Sequence, residues 1–210
     1  MTATKRAQIL DDQQLRDCLR AVSESETPER DAVILLLSFK AGLRSQEIAG
    51  LDWEDVCDAR GKVGRLIPGV NAKGQAEMLP ALFVPSDIAK KGRERAVSLH
   101  PDLQRALERL KRVSDRVGAK DPVITGMDGR RLSANSVAQW FLRRFRKFGY
   151  RGASSHSGRR TFITKAAQLA RESTGVSLRD VQLLAGHRFI STTEDYIEPS
   201  SSVHSLVSRL

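Results

Sequence analysis

Cysteine is scarce in this chain. Only Cys18 and Cys57 occur, far apart and in no CxxC spacing. That excludes a disulfide scaffold and a cysteine-based zinc site, and it points to a reduced, cytoplasmic compartment. Cys18 falls on a helix face, where packing is its expected role. No apolar run reaches the length of a membrane-spanning helix. The first residues, Met-Thr-Ala-Thr-Lys-Arg, lack the apolar core of a secretion signal. Internal repeats and low-complexity stretches are absent too. Acidic residues are in deficit: 25 Asp+Glu stand against 35 Lys+Arg, a net charge of +10. Such an excess favours phosphate contacts and electrostatic steering onto nucleic acid. Hydrophobic residues make up 40% of the chain, enough for the core of one sizeable domain.

Helical spacing is clear at both ends of the sequence. Asp11 and Asp12 can cap a helix running to about Val22, with Leu15, Cys18 and Leu19 on one face. Thr27 as cap and Pro28 at the first helical position open a second helix. It is apolar all round from Ala32 to Phe39, which predicts burial, and it ends at Ala41-Gly42. A short helix follows over Arg44 to Leu51. From Trp53 to Leu99, Gly and Pro punctuate short runs containing Val, Ile and Phe. This reads as a small antiparallel sheet with loops, including a hairpin over Ile88 to Leu99 that turns at Lys91-Gly92. Helices return after Pro101, ending near Val117. Another is capped by Ser133, with Arg143, Arg144, Arg146 and Lys147 on its polar face as candidate DNA contacts. A third starts near Ser155 and runs to about Arg171. The last long one covers Leu178 to Ala185, capped by Ser177 and stopped by Gly186, with one more turn over Ser191 to Tyr196. The fold class expected is mainly α with a small antiparallel β-sheet. Residues 1–10 read as a frayed arm, 11–200 as one domain and 201–210 as a short tail.

The last quarter concentrates the chemistry. Ser-His-Ser-Gly-Arg-Arg-Thr-Phe occupies 155–162, and Leu-Ala-Gly-His-Arg-Phe-Ile-Ser-Thr-Thr-Glu-Asp-Tyr occupies 184–196. A tyrosine hydroxyl near imidazoles and a guanidinium can attack a phosphodiester: Tyr196 as nucleophile, histidines to move its proton, an arginine to hold the phosphate. Each residue also has an ordinary structural reading. Arg44 and Glu47, at i and i+3, make a surface ion pair worth only ~0.2–0.5 kcal/mol. His156 and Arg159 share a helix face at a solvated helix start. His187 complements a helix C-terminus. Tyr196 is a core tyrosine, one of two with Tyr150.

Taken together, the segments resemble a known family. Gly42-Leu43-Arg44-Ser45-Gln46-Glu47-Ile48-Ala49-Gly50-Leu51 looks like the first arginine box of the tyrosine recombinases, the lambda-integrase-like phage integrases. His156-x-x-Arg159 is similar to the second box. Gly186-His187, with Tyr196 nine residues after the histidine, resembles the third. Lys90-Lys91-Gly92-Arg93-Glu94-Arg95, then Val97-Ser98-Leu99, looks like the family's lysine-bearing hairpin, although Lys91 stands where a glycine is usual.

The resemblance implies a catalytic set of Arg44, Lys90, His156, Arg159, His187 and Tyr196, with Lys91 or Lys73 as alternatives for the lysine. It implies no metal and no other cofactor. Its reaction is DNA cleavage and rejoining through a 3′-phosphotyrosyl link, in integration, excision or inversion of a mobile element. The partner would be double-stranded DNA, on which a multimer assembles. Family members usually carry a helical clamp domain before the catalytic one, and here about ten residues precede the first helix. The expectation is therefore a catalytic domain alone, acting as a half-clamp or with an accessory protein. Two other functions use the same fold or chemistry: a DNA-binding regulator that does not recombine, and a type IB topoisomerase-like relaxase.

Overall fold

The structure is a computed structural model that describes residues 7–70, 74–89, 93–172, 175–194 and 196. The chain divides into two compact units, Met1–Phe162 and Ile163–Leu210, with the division inside a helix.

The first unit opens with α1, Asp12–Val22, and its start is chemically explicit. The Asp11 carboxylate accepts the Gln14 N–H at 2.8 Å and the Gln14 side chain accepts the Asp11 N–H at 2.9 Å, a reciprocal capping box. Leu15, Cys18 and Val22 form its buried face. Before it, residues expected in the frayed arm are anchored instead. Gln8 N–H donates to the Gly152 carbonyl at 3.1 Å, Leu10 N–H to Thr161 Oγ1 at 3.1 Å, and the Leu10 side chain is fully buried. Burial of Leu10 and these two hydrogen bonds together offset part of the entropy of ordering the segment.

Helix α2, Pro28–Lys40, is the central element: every residue from Val33 to Phe39 is buried. It packs against α1, against α3 (Ser45–Gly50) and against α5 (Pro101–Val113). Its N-terminal turn surrounds a buried carboxylate. Asp31 accepts from Ser25 Oγ, Thr27 Oγ1, Arg30 and Arg144, the last at 2.8 Å from α6, Ala134–Lys147. Full pairing is what permits a charge to sit there. Thr27 thus spends its hydroxyl on Asp31 rather than on a cap hydrogen bond.

The glycine- and proline-rich middle contains α4, Trp53–Val56, and a three-stranded antiparallel sheet of order β1-β2-β3. The strands are β1 Arg65–Val70, β2 Ala76–Val84 and β3 Arg95–Ser98. The expected hairpin is displaced at its first strand. β3 pairs with β2 in the register Val84↔Arg95 and Ala81↔Ser98, and Pro85 to Ala89 forms a turn in which the Ala89 N–H bonds the Pro85 carbonyl. Proline removes the donor a continuing ladder needs, so the strand stops at Val84. Lys73, Lys90 and Lys91 lie outside the described residues.

Helix α7, Ser157–Glu172, leads into the second unit. There α8, Leu178–Ala185, is capped by Ser177 and ends at Gly186 with φ +63°, followed by α9, Ser191–Glu194, which packs on α8. Among the described residues, no helix is long and apolar enough to cross a membrane.

Candidate active site

The first unit carries an arginine cluster built from the turn after α2. Gly42 adopts φ +65°, a left-handed conformation that costs other residues about 1–2 kcal/mol. Its tight turn, closed by the Leu43 N–H bonding the Leu37 carbonyl at 3.0 Å, delivers Arg44 to the N-cap of α3. A Cβ at Gly42 would stand 2.4 Å from Phe162 Cδ1, so glycine is required twice over. The Gly42 carbonyl also accepts a hydrogen bond from Arg159 Nη1 at 2.6 Å. One backbone turn therefore sets Arg44 and holds Arg159. Gly158, beside Arg159, approaches α2 so closely that a Cβ would meet Ser38 Oγ at 2.4 Å.

Glu47 organises Arg44. It is fully buried, and four N–H groups reach its carboxylate. Arg44 N–H donates at 2.8 Å and Arg44 Nη1 at 3.0 Å. Arg95, the first residue of β3, adds a forked pair at 3.0 and 2.9 Å. Burial pushes the Glu47 carboxyl up, but the hydrogen bonds and charges of Arg95 and Arg44 outweigh it and hold the group below its ordinary range. The pair at i and i+3 is thus not the solvated ion pair the spacing alone suggests.

His156 and Arg159 do not share one environment. His156 precedes α7, its carbonyl takes the Arg160 N–H at 2.9 Å and its side chain is exposed. Arg159, in the first turn of α7, is 4% exposed. The turn before them is fastened by Ser154 and Ser157, whose backbone and hydroxyl groups bond reciprocally.

The second unit pairs the other two candidates. Gly186 ends α8 in a left-handed cap, with its N–H on the Leu183 carbonyl and the His187 N–H on the Gln182 carbonyl at 3.0 Å. That motif turns His187 inward, 4% exposed. Its Nδ1 lies 2.9 Å from Thr193 Oγ1, and buried Gln182 donates to the His187 and Arg188 carbonyls. The Tyr196 ring stacks on the imidazole, centroids 5.7 Å apart and planes 24° apart. The half-exposed tyrosine is therefore no core residue, and a held imidazole lies against it.

On α6, Arg143, Arg146 and Lys147 are exposed, whereas Arg144 binds Asp31 and lies over the Trp140 ring. Four contributions have no signal of their own in the sequence: the Gly42 carbonyl and the fork of Arg95 in the first unit, and Thr193 and Gln182 in the second. Arg95 was visible as the last cation of Lys90-Lys91-Gly92-Arg93-Glu94-Arg95, but only strand pairing shows where it reaches.

Known proteins are similar to this chain in sequence and fold. The model of the phage integrase family matches residues 8–202. The tyrosine recombinase XerC of Corynebacterium glutamicum is 28% identical over 197 residues, covering 92% of this chain and 55% of the relative. Tyrosine recombinase XerA of Thermococcus kodakarensis is 30% identical over 173 residues, covering 81% and 51%. The chain spans about half the length of the curated relatives it matches. Among solved structures, the Tn1549 transposon integrase in complex with transposon right end DNA superposes with a TM-score of 0.69 at 18% identity, covering 99% of this chain and 67% of that one. The XerH site-specific recombinase bound to its difH substrate gives 0.68 at 16%, covering 100% and 56%. With a fold held in common at such low identity and a family match across nearly its whole length, the chain belongs to the phage integrase family and has the fold of a tyrosine recombinase catalytic domain.

Proposed function

We propose that this chain cleaves and rejoins double-stranded DNA as a site-specific recombinase, through a phosphotyrosyl link at Tyr196. The observation that carries the reading is the stack of Tyr196 on buried, Thr193-bonded His187, within a family whose relatives are tyrosine recombinases. The Tyr196 oxygen attacks the scissile phosphorus and gives its proton to His156. The bond to the 5′-oxygen breaks, and that oxygen takes a proton from Lys90. Arg44 and Arg159 hold the nonbridging oxygens as negative charge grows on them, and His187 donates a further hydrogen bond. A 5′-hydroxyl from another strand reverses the steps, so rejoining draws on the conserved ester bond. Arg143, Arg146 and Lys147 supply phosphate contacts, and Arg144 secures α6 through Asp31. The protein works in the cytoplasm as a multimer on DNA, with an accessory protein or a further domain clamping the opposite face, in integration, excision or inversion of a mobile element.

The test is a nicked suicide DNA that loses a short fragment on cleavage. The wild-type chain leaves a covalent adduct on a denaturing gel. Tyr196→Phe, which removes one hydroxyl, keeps binding and forms none. A reversible shift with no adduct from the wild-type chain makes the protein a DNA-binding regulator. An adduct mapped to Tyr150 moves the nucleophile.

A further inference from the structure

We infer that Arg95 is a positioning residue for Arg44, acting through Glu47. The inference rests on the recombinase reading for its consequence in catalysis, but its geometry stands apart from that reading. Arg95 is nearly buried, with a side chain 7% exposed, and gives both ends of its fork to the two oxygens of Glu47. Glu47 gives the same two oxygens to the backbone and guanidinium of Arg44, whose side chain is 18% exposed. So Arg44 is the member of the trio that meets solvent.

Two consequences follow. The first concerns orientation. A carboxylate with only Arg44 to hold it is able to rotate about its last torsion. With the planar fork of Arg95 on both oxygens it is fixed in plane, and the Arg44 guanidinium is fixed with it. The second concerns charge. Glu47 alone would neutralise Arg44, one positive against one negative. With Arg95 the trio is two positive and one negative, a net of +1, and the more exposed guanidinium is the one at which an incoming phosphate meets that charge. Arg95 begins β3 and is paired across to Val84, so the sheet itself holds the orienting group.

Four variants, with Arg44→Lys alone as one of them, and two measurements test this. Arg95→Gln removes charge and fork, Arg95→Lys keeps only the charge, and Arg44→Lys combined with Arg95→Gln closes a double-mutant cycle. In single-turnover cleavage of suicide DNA, Arg95→Gln is expected to slow adduct formation ten-fold or more while changing DNA affinity less than three-fold. Arg95→Lys recovers part of that loss. The cycle is expected to be non-additive: once Arg44 is lysine, removing Arg95 changes the rate by less than three-fold. Additive losses show that Arg95 only supports the fold and overturn the inference.

The second measurement needs no catalysis. In nitrogen-15 spectra of the arginine side chains, the Arg44 Nε–H and Nη signals of the wild-type chain are expected to be sharp and separate. In Arg95→Gln and Arg95→Lys they are expected to broaden or average, as the guanidinium gains rotation. Unchanged Arg44 signals overturn the inference whatever the cleavage result. Should the wild-type chain form no adduct, the recombinase reading fails, and the spectra alone decide whether Arg95 orients Arg44.

Discussion

Glu47 shows what one buried charge does at the scale of a residue. Its carboxylate is satisfied by four N–H donors from two arginines, so removing the charge leaves two guanidinium groups facing a neutral amide. Breaking such a buried pair costs about 3–5 kcal/mol, and Glu47→Gln is expected to lower stability on that scale. The pH dependence has a definite sign. The folded carboxyl is held below its ordinary value, so its stabilisation is complete above the unfolded pKa and disappears as the pH falls through the lower folded one. Melting curves of the wild-type chain and Glu47→Gln should therefore differ most near neutrality and converge in acid. A gap that stays constant with pH would mean that Glu47 contributes nothing as an ion. Arg44 and Arg159 differ from Glu47 in the role proposed for them, which is to hold a phosphate. Both carry a planar guanidinium, whose forked donors lysine cannot reproduce. Arg44→Lys and Arg159→Lys are expected to slow adduct formation by ~10²-fold or more while leaving DNA affinity nearly unchanged. Wild-type rates in both variants would leave the two arginines with structural roles only.

At the scale of the element, ends matter more than middles. Helix α3 is short, yet it has to present Arg44 at its start. Its far end is held by Arg131, whose Nη1 donates to the carbonyls of Ala49, Gly50 and Leu51 at 3.1, 2.9 and 3.4 Å and whose Nη2 pairs with Asp52. Those carbonyls have no partner inside the helix. Arg131→Ala is expected to destabilise the fold by about 1–2 kcal/mol, read as a lower denaturation midpoint. An unchanged midpoint would show that water replaces the guanidinium without loss. Helix ends were also the most legible parts of the sequence. Asp11, Ser133 and Ser177 each cap the helix expected of them, and Pro28 and Gly186 mark the start and stop they suggest. Those signals are local, made by side chains bonding backbone two or three residues away. The sheet was harder to read because strand pairing is not local. Nothing near Val84 announces that its partner is Arg95, and α4 was hidden in a stretch dominated by turn residues.

At the scale of the whole molecule, the excess of ten positive charges favours phosphate contacts, and the proposed DNA partner puts that to the test. If Arg143, Arg146 and Lys147 each neutralise one phosphate, they contribute a slope of roughly −2.7 to log affinity against log salt, about −0.9 per contact. Alanine at any of the three should lower affinity for all sequences alike and make the slope shallower by about one. Arg144→Ala should act instead on stability, because its charge is committed to Asp31. A variant that loses binding to one sequence only would reveal a base contact on α6. Burial is equally a property of the whole. It pushes the Cys18 thiol up to about 12 and raises that of Cys57, so neither is a reactive thiolate in the folded chain.

The sequence by itself determined the helices with explicit caps, the basic balance and the order of the arginine, His-x-x-Arg and Gly-His…Tyr segments, because these are written in composition and short spacings. The tertiary structure alone decided that Glu47 is buried between Arg44 and Arg95, that the Gly42 carbonyl holds Arg159, and that Arg144 serves Asp31. Each of those outcomes joins a pair of side chain and partner, most of them dozens of residues apart, and depends on desolvation that only packing creates. A charge read from sequence has a sign and a spacing. Its partner, and so its energy, exists only once the chain has folded around it.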